Sequence, residues 1–498
     1  MKNLYSFMLV FLFSAFLPVS VSSQDVSGTI SGNVTWGPGT VNVVGNVSVS
    51  GNLTIAAGTT VSVSDQVMIT VTSTGTITAQ GIEGNEILFT AANASIGWEG
   101  IYFNGGPGDE SASVFEYCTF EYGKKTGTGT FDSSGGVVYL DNHSNVAFSN
   151  CTFQNNEVQR YGGAFKAVES QVSISNCVFK NNSTTSSDGG GAIDIVNGEG
   201  NVLKIENSSF YNNYSHTGGA LMAEGCSGLN IVGCIFANNE ANFGGAITIS
   251  QASNNISLYA NTFANNKTLN SDATIRVDAI QYFNFINNIV SGFDADNAIE
   301  FDGAYADNLT FENCLIEGGL SSVLGLPASY VWTDMVDGTA SFVAPSSASG
   351  LAGDGSTADW QLGDQSPAIN GGKEDISGLN LETLDLAGNT RVQQGRIDIG
   401  ALESNFVPTS VFNPGTDETF DVFLRRDENK ILVKADNSFV RFSGILFDIS
   451  GSIVSDKRSV LQQHQMTFET TGLRKGIYVV KILSESGKVL EISKIIIN

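Results

Sequence analysis

Proline, histidine and helical apolar spacing are all scarce in this sequence. Only 8 of the 498 residues are Pro and 3 are His, and no stretch after residue 25 repeats apolar residues at helical intervals. The patterns Cys-x-x-Cys, Asp-Asp and Gly-His-Gly do not occur. Zinc clusters and the familiar His-containing nucleophilic sites are therefore not expected. Beyond the first residues, no segment is apolar enough to cross a bilayer.

The amino-terminal residues 1–23 have the pattern of a secretory signal peptide. Lys2 supplies the positive charge, and an apolar run extends from Leu4 to Leu17. Small residues precede the expected cleavage before Gln24. The apolar run is short for a membrane span, and no Cys follows it for lipid attachment. The sequence therefore predicts an exported chain whose mature form has no transmembrane segment.

Acidic residues dominate the body of the chain but not its tail. The net charge is −26, and residues 421–498 hold 12 Lys+Arg against 9 Asp+Glu, a net of +3. Residues 1–420 therefore carry the remaining 12 basic and 41 acidic residues, a net of −29. Such a body repels nucleic acid and other polyanions. It suits either Ca²⁺ binding or a solvated extracellular surface, and the solvated surface is the favoured interpretation.

A repeat of about 26 residues organises the centre of the chain. Its first feature is a triplet of the Cys-x-Phe type, whose first and third residues are expected to point inward. The triplet begins at Cys118, Cys151, Cys177, Ser208, Cys234 and Asn261, with steps of 33, 26, 31, 26 and 27 residues. A paired Asn follows each Phe from the second repeat onward, as in Asn155-Asn156 and Asn181-Asn182. A Gly-Gly-Ala-apolar step comes later, as at Gly162-Gly163-Ala164-Phe165.

These marks predict a right-handed parallel β-helix. Residues one and three of the triplet face the same side of a strand, while Gly and Asn allow the positive φ angles of tight corners. One repeat is too small to enclose a core, but stacked repeats share one. We expect about twelve coils, an internal Phe ladder and an Asn ladder hydrogen-bonded from coil to coil.

The motifs resemble those of known surface proteins. Gly-Gly-Ala-apolar combined with Phe-x-x-Asn, over about residues 118–270, resembles the repeat of the chlamydial polymorphic membrane proteins, several of which are adhesins. The stretch that begins at Asn52-Leu-Thr-Ile55 looks like the first coils of bacterial pectin-lyase-like proteins. Residues 364–403 resemble the closing segment of "choice-of-anchor" β-helix proteins, which implies a polar cap with Arg391 and Asp398 as candidate partners.

The tail resembles a type IX secretion sorting domain. The matching pieces are Ile445-Leu-Phe-Asp-Ile-Ser-Gly451, Leu473-Arg-Lys-Gly-Ile-Tyr-Val479 and Lys494-Ile-Ile-Ile-Asn498, with Gly476, Tyr478 and Lys494 as the sorting-motif residues. The resemblance implies passage through the outer membrane by the type IX machinery, removal of the tail and surface attachment. The fold class is thus all-β, with a small immunoglobulin-like β-sandwich after the β-helix. The predicted organisation is signal peptide 1–23, β-helix 24–345, cap 346–403, linker 404–425 and sorting domain 426–498.

Candidate chemistry is sparse. Five of the six Cys share one stacked inward position, so we expect buried thiols and no disulfides. The densest acidic stretch offers Asp294, Asp296 and Asp302 as calcium ligands. Asp194, Lys204, Arg276 and Asp278 are the residues that a polysaccharide lyase would have to bring together.

Three functions remain open on the sequence alone. The first is a non-catalytic adhesin or shaft that binds a glycan, a host surface or a neighbouring cell surface. The second is an extracellular polysaccharide lyase or another pectin-lyase-like carbohydrate-active enzyme. The third is a structural role in the surface layer, because a β-helix by itself does not decide function.

Overall fold

In the computed structural model, stacked parallel strands form the shaft of the protein. The structure describes residues 23–106, 112–127, 129, 133–142, 145–186, 189–196, 202–251, 255–270, 272–303, 308–392, 396–404, 420–425, 429–435, 442–458, 465–484 and 489–497. The predicted signal peptide up to residue 22 and most of the predicted linker lie outside these residues. Two compact units comprise residues 1–404 and 405–498.

A full coil contains four strands. The first belongs to a twelve-stranded back sheet: Asn33–Trp36, Asn52–Ile55, Thr76–Gln80, Ser113–Glu116, Val146–Ser149, Val172–Ser175, Val202–Glu206, Gly228–Val232, Asn255–Tyr259, Tyr282–Ile286, Asn308–Glu312 and Val331–Thr333. The second, or Cys-Phe strand, carries the triplet: Cys118–Glu121, Thr152–Gln154, Val178–Lys180, Ser209–Tyr211, Ile235–Ala237, Thr262–Ala264, Ile289–Ser291 and Leu315–Ile316, after Gly39–Val49, Thr59–Val63 and Ile87–Ala91. The twelve back strands agree with the expected number of coils.

The remaining two strands complete the coil. Short corner strands form a six-stranded sheet: Lys124–Lys125, Glu157–Val158, Ser183–Thr184, Tyr214–Thr217, Glu240–Phe243 and Lys267–Thr268. The Gly-Gly strands follow the glycine pair: Val138–Asp141, Phe165–Val168, Ile193–Val196, Leu221–Glu224, Ile247–Ser250, Ala273–Asp278, Asn297–Asp302 and Val323–Leu324, after Ile69–Thr72 and Ile101–Asn104. Gln24–Ile30 pairs with Gly39–Val49 at the start.

The core is the predicted aromatic ladder. Rings of consecutive coils stack face to face: Phe153 and Phe179 have centroids 4.5 Å apart, and Phe179 and Phe210 are 4.9 Å apart. All three side chains are fully buried. The five stacked cysteines are buried and free, as expected, because the stacked position is inside the coil, and Cys226 is buried as well.

The two asparagines of each pair have different structural roles. The first of each pair turns the chain with positive φ, 57° at Asn155 and 53° at Asn212. The second lies fully buried and bonds to the next coil, for example Asn182 Nδ2 to Asn213 Oδ1 at 3.0 Å. The glycine pair also has a steric role, because a Cβ on Gly191 would lie 2.0 Å from the carbonyl oxygen of Gly219. The expected Asn ladder is confirmed.

Residues 341–404, here called the flank segment, lie along the side of the coils. The first Asn of three successive pairs holds it: Asn212 Nδ2 donates to Gly353 O at 2.5 Å, Asn238 to Ala348 O at 2.7 Å and Asn265 to Ser346 O at 3.0 Å. The segment contains the antiparallel strands Phe342–Ala344 and Asp359–Leu362. Residues 346–403 were expected to cap the open end of the shaft, whereas their contacts are with its flank.

Other residues cover the C-terminal end of the core. Leu326, Trp332 and Met335 pack against it, and Trp332 lies 5.2 Å from Phe311 between ring centroids. Short 3₁₀ turns occur at Gly319–Ser322 and Gly350–Ala352. The end is therefore closed by the chain that directly follows the last full coil.

The expected pairing of Arg391 with Asp398 is wrong. Arg391 is buried and lies 3.6 Å from Glu403, and its Nη1 donates to Ala401 O at 2.9 Å. Asp398 instead accepts the backbone N–H groups of Asn370 and Ser404, both at 2.6 Å. Burial raises the pKa of Glu403 to about 8 and lowers the pKa of Arg391.

The second unit is a module of two antiparallel sheets. One contains Phe420–Arg425, Lys430–Ala435 and Gln465–Glu469, and the other contains Ile453–Arg458, Phe442–Asp448, Gly476–Ser484 and Val489–Ile497. Side chains of both sheets share one apolar cluster that includes Val433, Phe468 and Val480. The immunoglobulin-like topology of this module stays a prediction.

Candidate functional site

A row of outward side chains, here called the outward row, runs along the Gly-Gly strands. In register from coil to coil, its members are Tyr102, Tyr139, Lys166, Asp194, Met222, Thr248, Arg276 and Glu300. Neighbouring members lie on adjacent strands, so their backbones are about 4.8 Å apart. This row contains the Lys166–Asp194 pair and Arg276 with its carboxylates.

Lys166 and Asp194 form a buried ion pair in this row. Lys166 Nζ contacts Asp194 Oδ1, and the side chains are only 4% and 1% exposed. The ammonium group also lies 4.3 Å from the centre of the Tyr161 ring, a favourable cation–π distance. Both residues are thus buried although they lie in the outward row.

Tyr102 and Tyr139 form an aromatic pair beside an acidic residue. Their ring centroids are 5.6 Å apart in an edge-to-face arrangement, and Tyr102 donates to Asp141 at 3.4 Å. Burial, reinforced by Asp141, raises the pKa of Tyr139 to about 12 and also raises the pKa of Tyr102. Both phenols are therefore protonated donors at neutral pH.

Arg276 is held by three carboxylates. Its nitrogens lie 2.6 Å from Asp272, 3.3 Å from Asp278 and 2.8 Å from Asp302. Asp272 is buried, so this pair is shielded from solvent. Burial raises the pKa of Asp278, although Arg276 opposes the shift. The guanidinium group is thus neutralised by the protein itself.

The four lyase candidates are not brought together. Arg276 and Asp278 are in contact, but Asp194 lies three strands away in the same row and is paired with Lys166. Lys204 is on the back sheet, where it lies 2.7 Å from Glu206. These residues therefore do not form one acid–base site.

The three predicted calcium ligands also have different surroundings. Asp294 pairs with Lys267 at 2.9 Å and Asp302 pairs with Arg276, while Asp296 is exposed. Within the described part of the chain, no group of three or more His, Cys, Asp or Glu side chains is placed to hold a metal ion. Calcium binding by these three residues stays a prediction.

A cleft lies between the flank segment and the coils. It has a volume of about 560 Å³, within the usual range for small-ligand pockets. Its aromatic and polar lining consists of Trp360, Tyr211, Asn150, Asn176, Asp359 and Gln361. Trp360 is fixed by its indole N–H, which donates to Gly355 O at 2.9 Å. Val178, Ser209 and Ile235 of the Cys-Phe strands also line it.

A polar strip on the Cys-Phe strands leads into this cleft. Glu121 accepts from Thr90 at 2.9 Å and from Gln154 at 2.8 Å. The next positions in register are Lys180 and then Tyr211. A long polar ligand could thus continue from the cleft along the open strand face.

The sorting-motif residues lie in the second unit. Gly476 begins the strand Gly476–Ser484 and is opposite Ile497. Tyr478 is buried, and its hydroxyl donates to Arg474 O at 2.8 Å. Lys494 is exposed on the last strand, opposite Val479. Tyr478 therefore stabilises the module, while Lys494 is available at its surface.

Comparisons with known families agree with both units. Residues 20–263 match the family described as right handed beta helix region, and residues 427–498 match the secretion system C-terminal sorting domain. The chain therefore contains a right-handed β-helix domain and a type IX secretion sorting domain. This β-helix protein is consequently secreted or displayed at the cell surface, by way of the type IX machinery. No curated protein matches the chain.

One further finding concerns the membrane. In the ranges that the structure describes, there is no helix with the length and apolarity needed to cross a bilayer.

Sequence reasoning missed the cleft and the Lys166–Asp194 pair. The cleft joins Tyr211 to Trp360, about 150 residues further along the chain, and no periodic signal connects the two. Lys166 could have been found, because it occupies the same place after Gly-Gly-Ala-apolar as Asp194 in the next repeat.

Proposed function

We propose that this β-helix protein is a non-catalytic surface adhesin whose flank cleft binds a neutral extracellular glycan. The observation that supports the proposal most directly is the lining of the cleft. Tyr211 supplies aromatic surface and packs against a cluster that contains the buried Trp360, and the amides of Asn150, Asn176 and Gln361 supply paired donors and acceptors. Sugars present apolar C–H faces and many hydroxyl groups, which such a lining satisfies.

Charge favours a neutral ligand. The body has a net charge of −29 over residues 1–420, and Asp359 adds a carboxylate at the cleft itself. An anionic polysaccharide would therefore meet repulsion both at long range and at the site. The sorting domain would deliver the shaft to the outer face of the outer membrane, where a neighbouring cell or a matrix glycan is accessible.

The alternative is a lyase-type enzyme on the same shaft. It would need a cation or phenol free to act on the substrate, beside an acidic substrate carboxylate. Arg276 is neutralised by Asp272, Asp278 and Asp302, and Lys166 by Asp194. These contacts support binding over catalysis.

Retention of the full chain on immobilised neutral polysaccharides tests the proposal. Tyr211→Leu keeps apolar packing but removes the ring and hydroxyl, so we expect retention to fall at least tenfold. Tyr259→Leu is the matched control, because Tyr259 is equally half-buried but lies on the back sheet. Equal loss in both variants, or no loss in Tyr211→Leu, would contradict cleft binding.

A further inference from the structure

One row of corner asparagines holds the flank segment by its main chain. The row consists of the first asparagine of each pair. Asn212 Nδ2 donates to Gly353 O at 2.5 Å, while Asn212 Oδ1 accepts the N–H of Gly355 at 2.9 Å. Asn238 Nδ2 donates to Ala348 O at 2.7 Å. These bonds use main-chain groups of the bound segment, so they do not require particular side chains in it.

The close approach of the bound chain nevertheless restricts its sequence. A Cβ on Gly353 would lie 2.6 Å from Asn238 Nδ2, and a Cβ on Gly350 would lie 2.4 Å from Glu240 Oε2. The same carboxylate of Glu240 accepts the N–H of Leu351 at 3.1 Å. The corner row therefore selects an extended chain rich in glycine and other small residues, and a carboxylate two residues after the asparagine adds an acceptor.

The row continues over two coils that the flank segment does not reach. Asn155 and Asn181, here called the open row, have φ angles of 57° and 55°, close to the 53° of Asn212. Lys180 pairs with Tyr211, so Asn181 lies one coil, about 4.8 Å, from Asn212. Within the described ranges, neither amide side chain of the open row has a hydrogen-bond partner, and Asn181 is exposed.

The carboxylate beside the row is repeated as well. Glu157 follows Asn155 by two residues, as Glu240 follows Asn238. It is half-buried, and strand pairing places it in register with Ser183 of the next coil. Glu157 and Ser183 therefore offer acceptors for main-chain N–H groups on the two open coils, next to amides that can donate to main-chain carbonyls.

We propose that the open row, with Glu157 beside it, binds an extended glycine- and serine-rich segment of a second protein by its main chain. The surface is continuous with one that already holds such a segment through the same side chains in the same backbone conformation. Two bodies of net charge −29 repel each other, which favours a different protein over a second copy of this chain. Asn181 does not line the flank cleft, so the proposal does not rest on glycan binding.

Titration of the full chain with a labelled peptide of the sequence of residues 346–356 tests the proposal. The chain's own copy of this segment occupies Asn212 and Asn238, so the open row is the free site. Asn181→Gly keeps the positive φ and removes the amide, so we expect the dissociation constant from fluorescence anisotropy to rise about tenfold. Asn145→Gly is the matched control, because Asn145 is exposed with φ 64° but precedes the back-sheet strand Val146–Ser149.

A second peptide tests the requirement for small residues. With Gly353→Ala and Gly355→Ala, it should bind about tenfold more weakly, because added Cβ atoms prevent the close approach. Equal affinity of the wild type and Asn181→Gly for the first peptide would overturn the proposal, as would no saturable binding up to about 1 mM peptide. A dimer of the wild-type chain that Asn181→Gly dissociates would also overturn it, because the open row would then hold a second copy.

Discussion

Asn213 donates two hydrogen bonds to the Oδ1 atom of Asn239. The backbone N–H of Asn213 donates to that oxygen at 3.0 Å, and Nδ2 of Asn213 donates to it at 2.9 Å. Nδ2 of Asn213 also donates to Phe179 O at 3.0 Å. The same pattern continues from Asn182 to Asn213. Each buried amide in the ladder is therefore satisfied only while its neighbours are present.

Replacing one member of this ladder should destabilise the shaft strongly. Asn213→Ala leaves several buried donors and acceptors without partners, so we expect a loss of about 3–5 kcal/mol in the free energy of unfolding. Urea unfolding followed by circular dichroism measures this loss. Asn155→Gly is the control, because Gly adopts the positive φ of Asn155 and should change stability by less than about 1 kcal/mol. Similar losses in both variants would refute the role of the ladder.

The stacked phenylalanines give a second prediction. Phe210 is fully buried and stacks on Phe179 at 4.9 Å and on Phe236 at 4.5 Å. Phe210→Ala removes both stacks and leaves a cavity, which should cost about 3–5 kcal/mol. Phe210→Leu fills most of the space and should cost roughly half as much. Equal unfolding midpoints for the wild type and Phe210→Ala would show that the ladder does not support the coil.

The cysteines should be chemically inert in the folded protein. All six are buried, and burial raises the pKa of Cys234 and Cys314 to about 12. At Cys234 and Cys314 the reactive thiolate is thus scarce at neutral pH, and burial makes all six thiols inaccessible. Iodoacetamide should label no thiol before unfolding and all six in denaturant, as counted by mass spectrometry. Labelling of the native chain, or a disulfide in the exported protein, would contradict this.

Glu403 should make the attachment of the flank segment depend on pH. Its pKa is raised from 4.5 to about 8. The folded state binds the proton of Glu403 more tightly than the unfolded state does. The contribution of the protonated carboxyl group to the free energy of unfolding is therefore present in full below pH 4.5 and is lost as the pH rises to about 8. The loss is on the order of 5 kcal/mol.

Glu403→Gln isolates that titration. Glutamine stays neutral and can still accept the Asp398 N–H that Glu403 now accepts at 2.8 Å. Thermal melts at several pH values should show a flatter profile between pH about 5 and about 8 than the wild type. Asp398, whose pKa is also raised by burial, contributes equally to both proteins. Parallel profiles of melting temperature against pH for the two proteins would mean that Glu403 is ionised throughout this pH range.

The repeat made most of the shaft predictable. Inward residues such as Cys151 and Phe153, and corner residues such as Asn155, recur at fixed positions, and each position has one physical role. The ladders, the free thiols and the number of coils follow from stacking identical units. The sorting domain was predicted from motifs in the last 70 or so residues, and a matching family covers residues 427–498.

The flank segment and the cleft were not predictable in the same way. Residues 341–404 are not periodic, so the sequence does not say which face they cover. Their position depends on side chains such as Asn212 and Asn238, whose outward amides look identical in the repeat whether or not a segment covers them. The Arg391–Glu403 contact likewise depends on tertiary packing, whereas the resemblance to a closing segment suggested Asp398 as the partner.

Incubation of the full chain with a panel of neutral and acidic polysaccharides, with and without calcium, tests the central claim most directly. Retention and the ultraviolet absorbance of unsaturated products would be recorded together, for the wild type and Tyr211→Leu. We predict retention by a neutral glycan, loss of that retention in Tyr211→Leu, and no product. Accumulation of unsaturated product from an acidic polysaccharide would contradict the account and make the protein a lyase.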